Sequence, residues 1–305
     1  MKVLQLLPTL AMGDAIGNDV RALEKVIRGM GYQTGIYAEV IDGRLPEGTA
    51  QQVEKMPRLS GEDVILYHMS TGSELNFSLE KYPCRKLMVF HNITPPRFFK
   101  GYNDAAMESA EYGMRGLCHL ADKVDGCMAD SAYNGDILRE LNYRCPITVR
   151  PILIPFADYA KEPDASVMEH YKDDGYTNFI FVGRVAPNKK QEDVIRAFYC
   201  YKKYCNPKSR LFIVGSYNGM ERYYHRLRRY VGALELDNVV FTGHIPFAQI
   251  LAYYHLADLF LCMSDHEGFC VPLVEAMYFN LPILAYDSSA ISDLSLIHIS
   301  EPTRH

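Results

Sequence analysis

The chain has 305 residues, about the length of two ordinary domains, and its 48% hydrophobic and 23% charged residues are usual for a soluble globular protein. A net charge of −5 argues against a nucleic-acid binder working through a global basic field. No run approaches the roughly 20 apolar residues needed to span a bilayer. The opening Met-Lys-Val-Leu-Gln-Leu-Leu-Pro reads as a first strand, lacking the apolar length of a signal peptide, so a cytoplasmic protein is expected.

Strand-like and helix-like runs alternate along the chain, which predicts an α/β fold built from parallel βαβ units. In the first half, strands are predicted at 3–7, 35–38, 64–67, 87–90, 126–129 and 147–153, with helices at about 18–30, 104–120 and 134–141. A polar segment holding Pro163, Asp164, Lys172, Asp173, Asp174 and Gly175 reads as a linker. The pattern then restarts with strands at 179–182, 211–214, 239–241, 259–263 and 283–285, separated by helices near 192–204, 221–231 and 247–255. The simplest account is two Rossmann-like domains facing a cleft, 1–155 and 156–293. The stretch Leu294-Ser-Leu-Ile-His-Ile-Ser-Glu-Pro-Thr-Arg304 looks like a translated sequencing-library adapter. Residues 294–305 are therefore expected to be a non-native tail, leaving the second domain incomplete. The eight cysteines, at 84, 118, 127, 145, 200, 205, 262 and 270, form no CxxC pair and are expected to be mostly buried, reduced thiols.

The most informative segment is Asp265-His-Glu-Gly-Phe-Cys-Val-Pro-Leu-Val-Glu-Ala-Met277, which sets Glu267 and Glu275 with seven residues between them. An apolar strand precedes it, and a helix with Pro272 in its first turn follows. One carboxylate thus sits on a loop leaving a strand and the other about a turn into the next helix. In an open α/β sheet that loop faces the ligand crevice, and carboxylates there suit hydroxyl-rich ligands. Gly183-Arg-Val-Ala-Pro-Asn-Lys-Lys follows the first strand of the second half. Its Arg184 and Lys189 can hold a diphosphate, although a solvated basic loop is the plainer reading taken alone. Lys190 is expected to point elsewhere.

His91-Asn-Ile-Thr-Pro-Pro96 follows a strand of the first half. His91 either reaches into the cleft or hydrogen-bonds to its own loop. Gly13-Asp-Ala-Ile-Gly17 is either a phosphate-approach loop or a plain turn capped by Asn18. Ser131 reads as a helix cap in preference to a nucleophile. Glu221-Arg-Tyr-Tyr-His-Arg-Leu-Arg-Arg229 is a basic, aromatic helix: a solvated face, or one drawn to anionic lipid. There is no GxxxxGK[ST] loop, no HExxH and no convincing DxD pair, so no metal is expected.

Together, the Glu-x7-Glu stretch, the Arg184–Lys189 spacing and the His-Asn-Ile-Thr-Pro segment resemble family 4 of the retaining glycosyltransferases, also called glycosyltransferase group 1. The resemblance implies a GT-B architecture and transfer of a hexosyl-type sugar from a nucleotide diphosphate-sugar to an acceptor hydroxyl. It implies that Arg184 and Lys189 stabilise the leaving diphosphate, that Glu267 binds the donor sugar, and that His91 contacts that sugar. Glu275 would bind the ribose, backbone N–H groups of Gly268 and Phe269 the sugar, and Ile245, in Gly243-His-Ile-Pro246, the base. The turns at Gly13 and Gly183 would let phosphates approach, and Asp14 would meet an acceptor hydroxyl. Beyond the nucleotide sugar, a glycan or lipid-linked acceptor, peripheral contact with the inner face of a membrane and a place in polysaccharide or lipopolysaccharide synthesis are expected, with no cofactor. Two rival readings are a sugar-nucleotide epimerase of related architecture and an inactive, truncated nucleotide-binding fragment.

Overall fold

The computed structural model describes residues 1–298; of the expected tail, 299–305 lie outside the described residues. The chain divides into two units, one made of residues 1–97 and 105–155, the other of 98–104 and the chain from Phe156 onward.

The first unit comprises β1 (Lys2–Leu10), α1 (Ala15–Gly29), β2 (Gln33–Ile41), β3 (Gln51–Gln52), β4 (Val64–Met69), α2 (Leu75–Ser78), β5 (Arg85–Phe90), α3 (Asp104–His119), β6 (Gly126–Ala129), α4 (Ala132–Glu140) and β7 (Ile147–Val149). Its sheet has seven strands in the order β3-β2-β1-β4-β5-β6-β7, every pair parallel. The central strands are covered on both faces, which is why β1 and β4 read as continuous apolar runs rather than alternating ones.

Of four local details, three depart from the sequence expectations and the last, the Ser131 cap, agrees with them. Strand β7 ends at Val149, short of 153, because Pro151 has no N–H to give a ladder. The two-residue β3 is unpredicted, since two glutamines carry no strand pattern. Helix α1 starts at Ala15, and Asp14, not Asn18, is its cap: the Gly17 N–H donates to Asp14 Oδ1 at 2.5 Å. Ser131 caps α4 by accepting from the Asn134 N–H at 3.1 Å.

The second unit comprises α5 (Phe156–Tyr159), α6 (Ala165–Tyr171), β8 (Thr177–Val182), α7 (Gln191–Tyr204), β9 (Ser209–Val214), α8 (Glu221–Ala233), β10 (Val239–Gly243), α9 (Phe247–Leu256), β11 (Leu259–Cys262), α10 (Val271–Tyr278), β12 (Ile283–Ala285) and α11 (Ala290–His298). The five strands run β10-β9-β8-β11-β12, all parallel. Helix α6 occupies the segment read as linker. Asp164 caps it by accepting from the Val167 N–H at 3.0 Å, and it packs on α9. Segment 98–104 joins this unit: Asn103 donates to the Gly219 carbonyl at 2.7 Å, and the Tyr102 ring meets Tyr223 edge-on.

One glycine pair is required by close backbone approach. A Cβ on Gly215 would lie 2.1 Å from the Gly183 carbonyl oxygen, and both residues have positive φ. With no side chains between them, the loops after β8 and β9 run together, tied by Gly183 N–H to Val214 O and Val185 N–H to Ser216 O, each 2.9 Å.

Candidate functional site

In the second unit, β8 has β9 on one side and β11 on the other, so the chain order reverses between β8 and β11. The loops leaving these two strands border the crevice that open α/β sheets use for ligands. The β8 loop carries Arg184 and Lys189; the β11 loop carries Glu267. Between Pro187 and Lys189 the chain makes a single 3-10 turn, and Lys190 takes left-handed backbone at φ 51°. That geometry sends Lys189 and Lys190 to different partners.

Lys189 Nζ lies 2.5 Å from Glu267 Oε2, with 21% of the lysine side chain and 8% of the glutamate exposed. Burial presses the ammonium toward its neutral form, but the carboxylate beside it wins, and the Lys189 pKa is raised. The two loops are stitched by Asn188, whose carbonyl accepts from Asp265 N–H at 2.9 Å and whose amide donates to His266 O at 3.1 Å. Ser289 accepts from the Glu267 N–H at 2.8 Å. Lys190 sits 3.6 Å from Asp265 and 3.7 Å from Asp193. Arg184 turns away from this pair, donating to the Asn218 carbonyl at 3.1 Å.

Residues 165–295 match the family model described as Glycosyl transferases group 1. Every site residue predicted for the second half falls inside that match.

The chain is 25% identical over 193 residues to the alpha-monoglucosyldiacylglycerol synthase of Streptococcus pneumoniae, covering 60% of this chain and 42% of the relative. It is 32% identical over 133 residues to a GDP-mannose-dependent alpha-mannosyltransferase of Mycolicibacterium smegmatis, covering 43% and 31%. The matched part is thus less than half the length of either relative. Among solved structures, Anabaena HepE in complex with UDP-glucose superposes with a TM-score of 0.72 at 15% identity, over 96% of this chain and 82% of that one. The fold, α/β with two parallel sheets, is that of the GT-B glycosyltransferases.

The other glutamate of the pair has a different environment. Glu275, in α10, accepts from the Tyr159 hydroxyl at 2.7 Å and the Tyr254 hydroxyl at 2.6 Å. Burial raises its pKa, although both hydroxyls favour the charged form. Gly268 and buried Phe269 lie in the turn before α10, with Cys270 in left-handed backbone at φ 75°. Half-buried Ile245 is on the loop after β10, and Gly183 lies at the end of β8.

In the first unit, Gly13 is exposed at φ 79° on the loop after β1. Asp14, proposed for an acceptor hydroxyl, is engaged as the α1 cap, and burial raises its pKa. The sequence leaves His91, at the strand end, either reaching into the cleft or hydrogen-bonding to its own loop. Instead its side chain is 1% exposed and both ring nitrogens are taken. Nδ1 lies 2.7 Å from Asp130 Oδ2, and Nε2 lies 2.8 Å from His68 Nδ1. His68 Nε2 lies 3.0 Å from Gln5 Oε1, and the Gln5 amide donates to Val20 O at 2.8 Å.

Hydrogen-bond accounting fixes the protons along this chain. Gln5 Oε1 can only accept, so His68 carries its proton on Nε2 and must accept at Nδ1. His91 must then donate at Nε2, and one further proton lies between its Nδ1 and Asp130 Oδ2. Burial lowers the His91 pKa, but Asp130 more than offsets it and the net shift is upward, while burial raises the Asp130 pKa as well. His68 is pushed well below the ordinary range by burial and by the charge on His91.

Among the described residues, two clusters bring three metal-capable ligand atoms within 4.8 Å of one another: Asp19, His68 and His91, and Cys262, Glu267 and Cys270. Each already has a protein cation on its carboxylate. Arg150 grips Asp19 at 2.7 and 3.1 Å, and Lys189 holds Glu267. All eight cysteines are free thiols, and Cys84, Cys127, Cys262 and Cys270 are buried.

Sequence reasoning missed Tyr159, Tyr254, Asn188, Ser289, Gln5, His68 and Asp130. For Gln5 and His68 a signal existed: each is a polar residue inside an otherwise apolar, fully covered strand.

Proposed function

We propose that this chain is a retaining glycosyltransferase of the family 4 type, moving a hexosyl-type sugar from a nucleotide diphosphate-sugar to an acceptor hydroxyl. The observation that carries the reading is the Lys189–Glu267 pair on the two loops at the strand-order reversal of the second unit, inside the segment matching the group 1 family model. An ammonium and a carboxylate held together offer a diphosphate and a sugar hydroxyl one partner each. In this reading Lys189 and Arg184 take up the charge that grows on the departing diphosphate, so no divalent metal is required. Glu267 and the N–H groups of Gly268 and Phe269 hold the sugar, Glu275 binds the ribose, and Ile245 lies beside the base. Retention follows from attack on the same face. The bond from the anomeric carbon to the phosphate oxygen breaks, the acceptor oxygen bonds to that carbon, and the acceptor proton passes to the leaving phosphate.

His91, whose pKa Asp130 raises, favours positive charge in the first unit, and Gly13 lets an anionic group approach the α1 N-terminus. The acceptor is a glycan or a lipid-linked molecule, a choice supported by the names of the diacylglycerol-glucosylating relatives. Among the described residues no helix is long and apolar enough to cross a membrane. We assign the chain to the cytoplasm, in peripheral contact with the membrane during polysaccharide or lipopolysaccharide synthesis.

The test is thermal stability of the chain with UDP-, GDP- and ADP-sugars in the presence of a chelator. A ligand at one hundred times its Kd adds about 2.7 kcal/mol. One nucleotide is expected to raise the melting temperature, and Lys189→Ala to abolish the rise. A cooperative melt indifferent to every nucleotide sugar would rule the reading out.

A further inference from the structure

Basic residues on several other surface helices are paired with acids, including Lys202 of α7 with Asp237. Arg28 pairs with Glu24 in α1, Arg139 with Asp136 in α4, and Arg196 with Asp193 in α7. Helix α8 differs. Its Arg222, Arg226, Arg228 and Arg229 are exposed, as is His225, and among the described residues none of the four arginines lies within 4.0 Å of a carboxylate. The nearby acids are engaged elsewhere. Glu221 accepts from the Gly219 N–H at 2.8 Å, and Glu192 accepts the Tyr223 hydroxyl.

Together with Gly101 and Tyr102, Arg222, Arg226, Arg228, Arg229 and His225 line a shallow, open hollow of about 770 Å³. Residues 222, 226 and 229 follow helical i, i+4, i+7 spacing and so share one face. The Tyr102 hydroxyl takes one donor of Arg226 and fixes that guanidinium, leaving its other N–H groups available. The segment carrying Gly101 and Tyr102 is anchored by Asn103 to Gly219 and by Tyr102 against Tyr223. Like charges crowded here without acids cost stability in the free protein, and a ligand that neutralises them relieves that cost. Planar guanidinium groups around a concave site suit tetrahedral oxyanions, which they bind in bidentate fashion.

We propose that the α8 hollow is a phosphate-binding site, separate from the Lys189–Glu267 pair and fitted to a ligand bearing one or two phosphate groups. Those groups belong either to a soluble phosphorylated compound or to the headgroups of an anionic lipid surface; the chemistry of recognition is shared. The site stands independently of sugar transfer, because binding is read without turnover.

The full chain is titrated with inorganic pyrophosphate by calorimetry, and separately floated with phosphatidylcholine vesicles with and without phosphatidylglycerol. The variants are Arg226→Gln with Arg229→Gln, the same pair to lysine, and Lys189→Gln, each checked for an unchanged circular dichroism spectrum. Losing charge-assisted hydrogen bonds should weaken the responding probe roughly tenfold or more in the glutamine pair. The lysine pair should fall between, since it keeps charge and loses the planar fork. A response to pyrophosphate identifies a soluble ligand as the source; a response only to vesicles containing phosphatidylglycerol identifies the headgroup. The proposal is overturned if neither probe binds, or if binding is lost in Lys189→Gln and untouched in the glutamine pair.

Discussion

The two parallel sheets both gather charged side chains at their strand ends, and they do so to opposite effect. In the first unit Gln5, His68, His91 and Asp130 form a closed line across β1, β4 and the loops after β5 and β6. Each ring nitrogen has a partner, and the only polar atom of these four side chains left over is Asp130 Oδ1, buried without a hydrogen bond. In the second unit the Lys189–Glu267 pair is part exposed and spans two loops, one cation to one anion, with donors and acceptors to spare. A closed line fixes strands relative to one another; an open pair can trade its partner for a ligand. Similar positions in a βαβ sheet therefore need not carry similar duties.

The largest test of this contrast is Lys189→Ala. It should lower sugar transfer by roughly a hundredfold or more and strand Glu267 as a buried charge, at a cost near 3 kcal/mol in unfolding assays. Loss of stability with transfer intact would mean that this pair is structural too, and the contrast would collapse. Glu275→Ala comes next, leaving the Tyr159 and Tyr254 hydroxyls without their acceptor and costing about 2–4 kcal/mol in denaturant melts. Glu275→Gln keeps one acceptor oxygen and should recover part of that. Because burial raises the Glu275 pKa above 4.5, its contribution is full below pH 4.5 and is lost as pH rises through the folded value. The glutamine variant should erase that slope.

Asp130→Asn should cost about 1–3 kcal/mol and change how stability depends on pH. With the His91 pKa raised above 6.5, the imidazolium adds stability that is full below pH 6.5 and declines as pH climbs through the folded value. His68, held neutral, works against this below pH 6.5. The gap between wild type and variant should therefore be widest below pH 6.5 and narrow on the alkaline side; a gap that does not change with pH would show that His91 is neutral in the fold. Arg196→Ala, which breaks an exposed pair within α7, sets the floor at under about 0.5 kcal/mol.

The architecture was legible because buried parallel strands announce themselves as short apolar runs; only β3, two glutamines long, escaped entirely. The α6 segment was misread because its polar, Pro- and Gly-flanked composition resembles a linker, while its cap, Asp164, is a single residue. In the second unit Arg184, Lys189, Glu267 and Glu275 are candidates from spacing and from the family resemblance, but their partners were not legible. Tyr159 lies 116 residues from Glu275, a contact that only the folded chain creates. His91 could be found, but its burial could not, because that depends on His68 and Asp130 arriving from two other strands.

The seven residues 98–104 lie in sequence within the first half and in space within the second unit. A gene cut at the obvious boundary, between Pro155 and Phe156, would therefore yield a second-half fragment without the segment that carries Tyr102 and Asn103. Such a fragment would expose the Tyr223 flank and lose part of the lining of the α8 hollow. Fragment complementation with a short peptide spanning 98–104, or a permuted chain that supplies it, would be needed to obtain this half as a complete module.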